Sequence, residues 1–226
     1  MQAKRILKQS ISLLNTDYVQ LDLRWNYKNV ISPYHRIYFI DDGEGTIEDT
    51  EKTLTLEAGY LYIIPSYTLC NLACESFLSQ FFVQFFEESS DGTSIFGNAH
   101  FVYKVAAREI DIINFRRLIE LNPDRGLDRS DNPEIYEKHS YYEKYQSLND
   151  LQSHSDFIET QGILLQLISR FSMPEQYYQK RPDIPVKMLD AVRFITINFH
   201  RELSVRLLAD RYNCNPQYFS RLFEQH

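Results

Sequence analysis

The sequence predicts an α+β protein: a β-rich first part, helices after it, and an all-α tail. Three observations predict this. Tyr34–Ile40 and Gln80–Phe86 are dense in aromatic and β-branched residues, the composition of strands. From about Val105 the apolar residues recur at helical rather than alternating spacing. The last stretch, Leu203–Phe223, carries the punctuation of two short helices joined by a tight turn. The 226 residues suffice for one larger domain with a good core and a small second one.

The opening run, MQAKRILKQSISLLNTDY, is positively charged but lacks a continuous apolar segment and a small-residue cleavage site, so it reads as structure rather than a signal peptide. The chain has no run of about 18 apolar residues, and a membrane span is not expected. Cys70, Cys74 and Cys214 are odd in number and lack metal-type spacing, which suits a reducing cytoplasm. From about Tyr18 to Tyr103 the chain reads as β. Asp42-Gly43-Glu44-Gly45 reads as a turn between Tyr34–Ile40 and Thr46–Glu48. Leu54–Leu56 leads through Glu57-Ala58-Gly59 into Tyr60–Ile64, which stops at Pro65. Short strands at regular spacing suggest a sandwich or barrel.

In the helical part, Ile110, Ile113, Leu118 and Leu121 form a rough stripe ended by Asn122-Pro123. Asp124–Ser153 is polar, with scattered tyrosines and no clear assignment. In Asp156–Phe171, one face gathers Phe157, Ile158, Gln161, Leu164, Leu165, Ile168 and Phe171, which could pair subunits or pack back on the barrel. Ser172–Pro185 holds three prolines and reads as a linker. Val186–Phe199 follows as a helix with Met188, Val192, Ile195 and Phe199 inward. The expected divisions are therefore 1–104, 105–173, the linker 174–185, and 186–226.

The tail carries the most specific local chemistry. Val205, Leu208, Ala209 and Tyr212 share one helix face, Ser204 stands at the N-cap, and Asn213 can take a left-handed C-terminal cap. Asn215-Pro216 restarts a helix, with a capping side chain and then Pro at the first position. In that second helix Phe219, Leu222 and Phe223 are expected inward, and Gln217, Ser220, Arg221 and Glu224 outward. A helix-turn-helix places such a face in the DNA major groove, where Gln suits adenine and Arg guanine. An ordinary helical hairpin with a solvated outer face has the same spacing. Charge adds a little. Of the net −7, the segment from Val186 onward holds +2 and the rest −9, as in a DNA-reading end attached to an acidic body.

The segment AVRFITINFHRELSVRLLADRYNCNPQYFSRLF resembles the first helix-turn-helix of the AraC family of bacterial transcription regulators. The shared features are the leading amphipathic helix, the L-S opening, L-A in the next helix, and N-P-x-Y-F-S-R-L-F. Upstream, GEGTIE and LEAGYLYIIP, in that order over roughly residues 18–103, resemble the cupin-like effector domain of the same family. The resemblance implies an N-terminal cupin-like β-barrel followed by helices, then a partial helix-turn-helix domain. It also implies Gln217, Ser220 and Arg221 as base-contact positions, DNA and a small-molecule effector as partners, and a homodimer paired through the helices after the barrel. Leu207 stands where many members have an acidic residue completing a capping box, and Glu224 where lysine is common. The family's second helix-turn-helix would lie beyond His226, which implies weak DNA binding by these residues and a frayed last helix.

A cupin barrel raises the question of catalysis. Metal-dependent cupins need two close histidines, a carboxylate and a third histidine. His35 stands alone on its strand, Thr68-Leu69-Cys70 occupies the later position, and His100 is the next histidine. No enzyme, metal site or cofactor is expected. A ligand pocket fits better. Alternation puts Gln80, Phe82 and Gln84 on one strand face and Phe81, Val83 and Phe85 on the other. Glutamines beside an aromatic suit a sugar or similar polar effector, with His35, Arg36, Tyr38 and Tyr62 as further candidates. The alternatives are a barrel filled by its own side chains that serves only assembly, and, less favoured, a cupin enzyme.

Overall fold

A computed structural model of the chain describes residues 9–89, 94–96, 101–127, 139–171, 191, 194–195, 202–212 and 214–225. The chain divides into two compact units. One comprises Gln9–Glu88 and Ala99–Met173, and the other includes Pro174–His226. The architecture is α+β.

Among the described residues, eight strands build the first unit: β1 (Gln9–Asp22), β2 (Asn26–Val30), β3 (His35–Glu48), β4 (Thr53–Glu57), β5 (Tyr60–Ile64), β6 (Cys70–Ala73), β7 (Phe77–Ser89) and β8 (Tyr103–Ala106). One layer runs β1-β7-β3-β5-β8; in the other, β6 pairs with β2 and β3, and β4 pairs with β3. The long β3 serves both layers. Its first part is antiparallel to β7 and β5, and its second part to β4 and β6. Two sequence expectations change here. The β region begins at Gln9 rather than near Tyr18. Asp42–Gly45 is not a turn between two strands but a bend within one. The register slips between Ile40 and Asp42, and Gly43 takes φ +79° while its Cα lies against the Phe77 carbonyl, where a Cβ would collide. Glycine supplies both the left-handed backbone and the clearance, so the chain bends without ending the ladder.

Register sorts the side chains into two faces. Arg36, Tyr38 and Ile40 stand opposite Gln84, Phe82 and Gln80, and Tyr62 and Ile64 fall on the same side. That side joins Trp25, Ile47, Leu56, Leu72 and Leu78 in the core between the layers. The other face presents His35, Ile37 and Phe39 beside Phe85, Val83 and Phe81. Helix α1 (Glu109–Leu121) covers it, with the Phe115 ring 6.4 Å from Phe39 and 5.9 Å from Phe81.

Helix α1 is rotated from the expected stripe. Ile110 and Ile113 are 49% and 50% exposed, whereas Asp111, Asn114, Phe115 and Leu118 are buried. The polar pair faces inward because partners await it: Asp111 accepts from Arg108 N–H at 2.8 Å and Arg170 Nε at 3.0 Å, and Asn114 donates to Gln166 at 3.0 Å. Helix α2 (His139–Asp150) arises in the polar stretch that gave no assignment. Helix α3 (His154–Ser169) is capped by Ser153, whose hydroxyl accepts from Asp156 N–H. Its apolar stripe splits: Leu164, Ile168 and Phe171 are buried, while Phe157, Ile158 and Leu165 are exposed. Arg125 ties these parts together. Buried, it donates to the carbonyls of Leu13, Leu14 and Tyr145 and to Asn149 Oδ1, while its own carbonyl accepts from Thr16 N–H and Asn15.

In the second unit, α4 (Val205–Arg211) and α5 (Pro216–Gln225) form a helical pair. The linker Ser172–Pro185, most of the expected helix Val186–Phe199 (Met188, Val192 and Phe199 included) and Asn213 lie outside the described residues.

Candidate functional site

The inner face of β7 brings Gln80, Phe82 and Gln84 together with Tyr38, as alternation predicts, around a cavity of about 10 Å³ that Val19, Trp25 and Leu127 also line. That is about the room one water needs, since a cavity must offer roughly 10–15 Å³ to hold one. Gln80 and Gln84 are only 4% and 2% exposed, and their Oε1 atoms have no hydrogen-bond partner. A buried acceptor left unpaired costs about 1–3 kcal/mol, so two of them on residues that line one cavity form an unusual arrangement.

The other candidates sit elsewhere. Tyr62 lies on the inner face, but its hydroxyl is committed: it donates to Thr55 O at 2.7 Å and accepts from Glu57 N–H at 2.9 Å. Burial raises the Tyr62 pKa above the usual phenol value. Arg36 is buried and donates through Nη2 to Cys70 Sγ at 3.4 Å. His35, its neighbour in sequence, points to the opposite face. There His35 Nδ1 accepts from Ser66 N–H at 3.1 Å, so Nε2 carries the proton toward Glu87 Oε2 at 3.2 Å, and the ring stacks on Phe85. Period-2 alternation alone could have parted His35 from Arg36.

Sequence reasoning missed three residues that line the cavity. Val19 and Trp25 arrive from β1 and the turn after it, and Leu127 from the segment after α1. Leu127 also lines a second, open groove of about 390 Å³ with Asp17, Asp124, Gly126, Lys144 and Tyr145. No local signal marks these residues, because they meet only through tertiary packing.

The helical pair of the second unit is built from its caps. The Ser204 hydroxyl accepts from Leu207 N–H at 3.1 Å, and Asn215 Oδ1 accepts from Gln217 N–H at 2.8 Å. Leu208, Ala209, Tyr212 and Phe219 form the core with Ala191, and the rings of Tyr212 and Phe219 stack 6.0 Å apart. Gln217 and Arg221 are exposed and Ser220 half-buried, one turn apart along α5. Two expected inward residues are not: Val205, in the first turn of α4, and Phe223, whose ring only flanks Phe219 at 5.9 Å, are both exposed.

No protein-family model matches the chain, and no curated protein matches it. Among solved structures, ToxT of Vibrio cholerae, an AraC-family regulator, aligns over 94% of this chain and 94% of its own at 11% identity, with a TM-score of 0.33. A cupin-2 domain protein of Shewanella frigidimarina aligns over 33% of this chain and 68% of its own, at 15% identity and a TM-score of 0.27. The EutQ protein of Clostridium difficile covers 38% of this chain and 68% of its own, at 10% identity and a TM-score of 0.28. Scores of this size leave the fold to rest on the chain's own strands and helices. Among the described residues, no helix is long and apolar enough to cross a membrane.

Proposed function

We propose that the chain is a cytoplasmic transcription regulator of AraC type, with α4 and α5 as its DNA-reading hairpin and the barrel as its sensing part. The observation that carries this reading is α5 itself. Its buried side is anchored by Phe219 against Tyr212, and Gln217 and Arg221 stand outward with Ser220 between them, in the N-P-x-Y-F-S-R-L-F segment. Bidentate pairing of Arg with guanine and of Gln with adenine gives that face its use. Selection from a random duplex library at low salt tests it. An enriched motif that Arg221→Ala relaxes supports the assignment; no enriched motif, or equal selectivity with and without Arg221, refutes it.

Within this proposal the barrel performs no chemistry, and a small neutral effector, such as a sugar, acts at the Gln80–Gln84 face by changing the population of regulator states. Metal analysis and assays with added divalent ions check the first part. The chain also works as a homodimer, because two reading heads sum their contacts on paired half-sites. The exposed Ile110, Ile113, Ile158 and Leu165 on the antiparallel α1 and α3 offer the apolar surface for it. Only monomer by light scattering at micromolar concentration would remove the dimer. One observation favours a second reading: a cavity of about 10 Å³ suits a barrel that serves assembly alone. Thermal-shift screening against a broad metabolite library separates the two readings, since an assembly-only barrel gives no response.

A further inference from the structure

We infer that Leu127 is a partition between the open groove and the barrel cavity, and that the Gln80–Gln84 site behind it takes a small, uncharged, planar molecule whose edge presents N–H beside C=O. The inference rests on the effector reading above and deepens it. Three observations carry it. Among the described residues the cavity is lined by Val19, Trp25, Tyr38, Gln80, Phe82, Gln84 and Leu127, none of them charged, and Arg36, opposite Gln84 in the register, is engaged with Cys70 Sγ, which favours a neutral guest. Gln80 and Gln84 both line it, their buried Oε1 atoms have no partner, and each such oxygen calls for a donor. Three of the walls are aromatic, which favours a flat guest.

A primary carboxamide offers an acceptor next to a donor, so it pairs in-plane with a lactam or amide edge, whereas a lone hydroxyl meets only half of it. Room and route come from Leu127. It is half-buried, packs against the barrel core on one side and the Leu14–Tyr34–Tyr142–Tyr145 cluster on the other, and lines both the 10 Å³ cavity and the 390 Å³ groove. Its isobutyl group is the wall shared by the two spaces, so its displacement joins them.

Trp25, the only tryptophan, lines the cavity and reports on it. The experiment titrates the full chain with three quenchers: acrylamide, a neutral planar amide; trichloroethanol, neutral without an amide; and iodide, an anion. Leu127→Ala is expected to raise acrylamide quenching of Trp25 severalfold and to add a saturable component, with iodide unchanged. Adding Gln80→Leu and Gln84→Leu should remove the saturable component and leave the collisional one. Equal gains for trichloroethanol and acrylamide, or a saturable component that survives loss of both glutamines, would overturn the ligand class. No gain for any quencher in Leu127→Ala would overturn the partition. Leu127→Val provides a milder variant should the alanine form fold poorly. None of these readings involves DNA, so failure here leaves the regulator proposal to its own test.

Discussion

Replacing Arg125 by methionine tests how the helices are held to the barrel. The guanidinium makes two short bonds, 2.9 Å to Tyr145 O and 2.7 Å to Asn149 Oδ1, and two longer ones of 3.3 Å to Leu13 O and Leu14 O. Charge-assisted bonds contribute about 1.5–3 kcal/mol each, so the short pair represents roughly 3–6 kcal/mol. Against this stands desolvation: burial pushes the Arg125 pKa down to about 10. Methionine does not incur that desolvation, so the net loss is smaller than the gross sum of the bonds. Leu13 O keeps a second donor in Asn149 Nδ2, which softens the loss there. The expected net destabilisation is about 2 kcal/mol. Trp25 fluorescence during urea unfolding reads it, since the single tryptophan is buried in the same unit. Arg125→Lys should lose at least as much, because an ammonium cannot fork to four acceptors. Full retention of stability by the lysine variant would refute this account, since charge alone would then suffice.

Gln84→Leu should raise the urea midpoint by the equivalent of about 1–2 kcal/mol, because it removes an unpaired buried oxygen; a lower midpoint would mean the amide is satisfied in solution. Ser204→Ala should cost the helical pair about 1 kcal/mol, seen as a lower melting temperature by circular dichroism. Glu159 is held below the ordinary carboxylate range by its hydrogen bonds with Arg117. A depressed acid contributes stability above its unfolded value of 4.5 and loses it as pH falls through the lower folded value. Acid titration should therefore show a small loss below that pH which Glu159→Gln lacks. Ile113→Asp with Ile158→Asp should shift any dimer toward monomer in light scattering without moving the Trp25 unfolding midpoint.

Local chemistry was legible in the chain; long-range pairing was not. Ser204 and Asn215 announce their helices because a cap bonds two or three residues away. Gln80, Phe82 and Gln84 share a face because a strand alternates whatever it pairs with. The inward turn of Asp111 and Asn114 could not be read, since their partners Arg170 and Gln166 are 59 and 52 residues distant. An apolar-stripe rule therefore put Ile110 and Ile113 inside. The run Asp42–Gly45 has turn composition, yet its glycines serve a bend that keeps both ladders of β3 intact. Leu127 carried no signal of any kind, as its role arises only where two spaces meet.

The sharing of β3 between the two layers has a consequence for how the barrel comes apart. Residues 35–43 hold the ladder to β7 and 36–39 the one to β5, and residues 44–48 hold those to β4 and β6. Neither layer can shed its hydrogen bonds while the strand common to both stays in place, so amide protons on either side of Gly43 should exchange in one concerted opening rather than sheet by sheet.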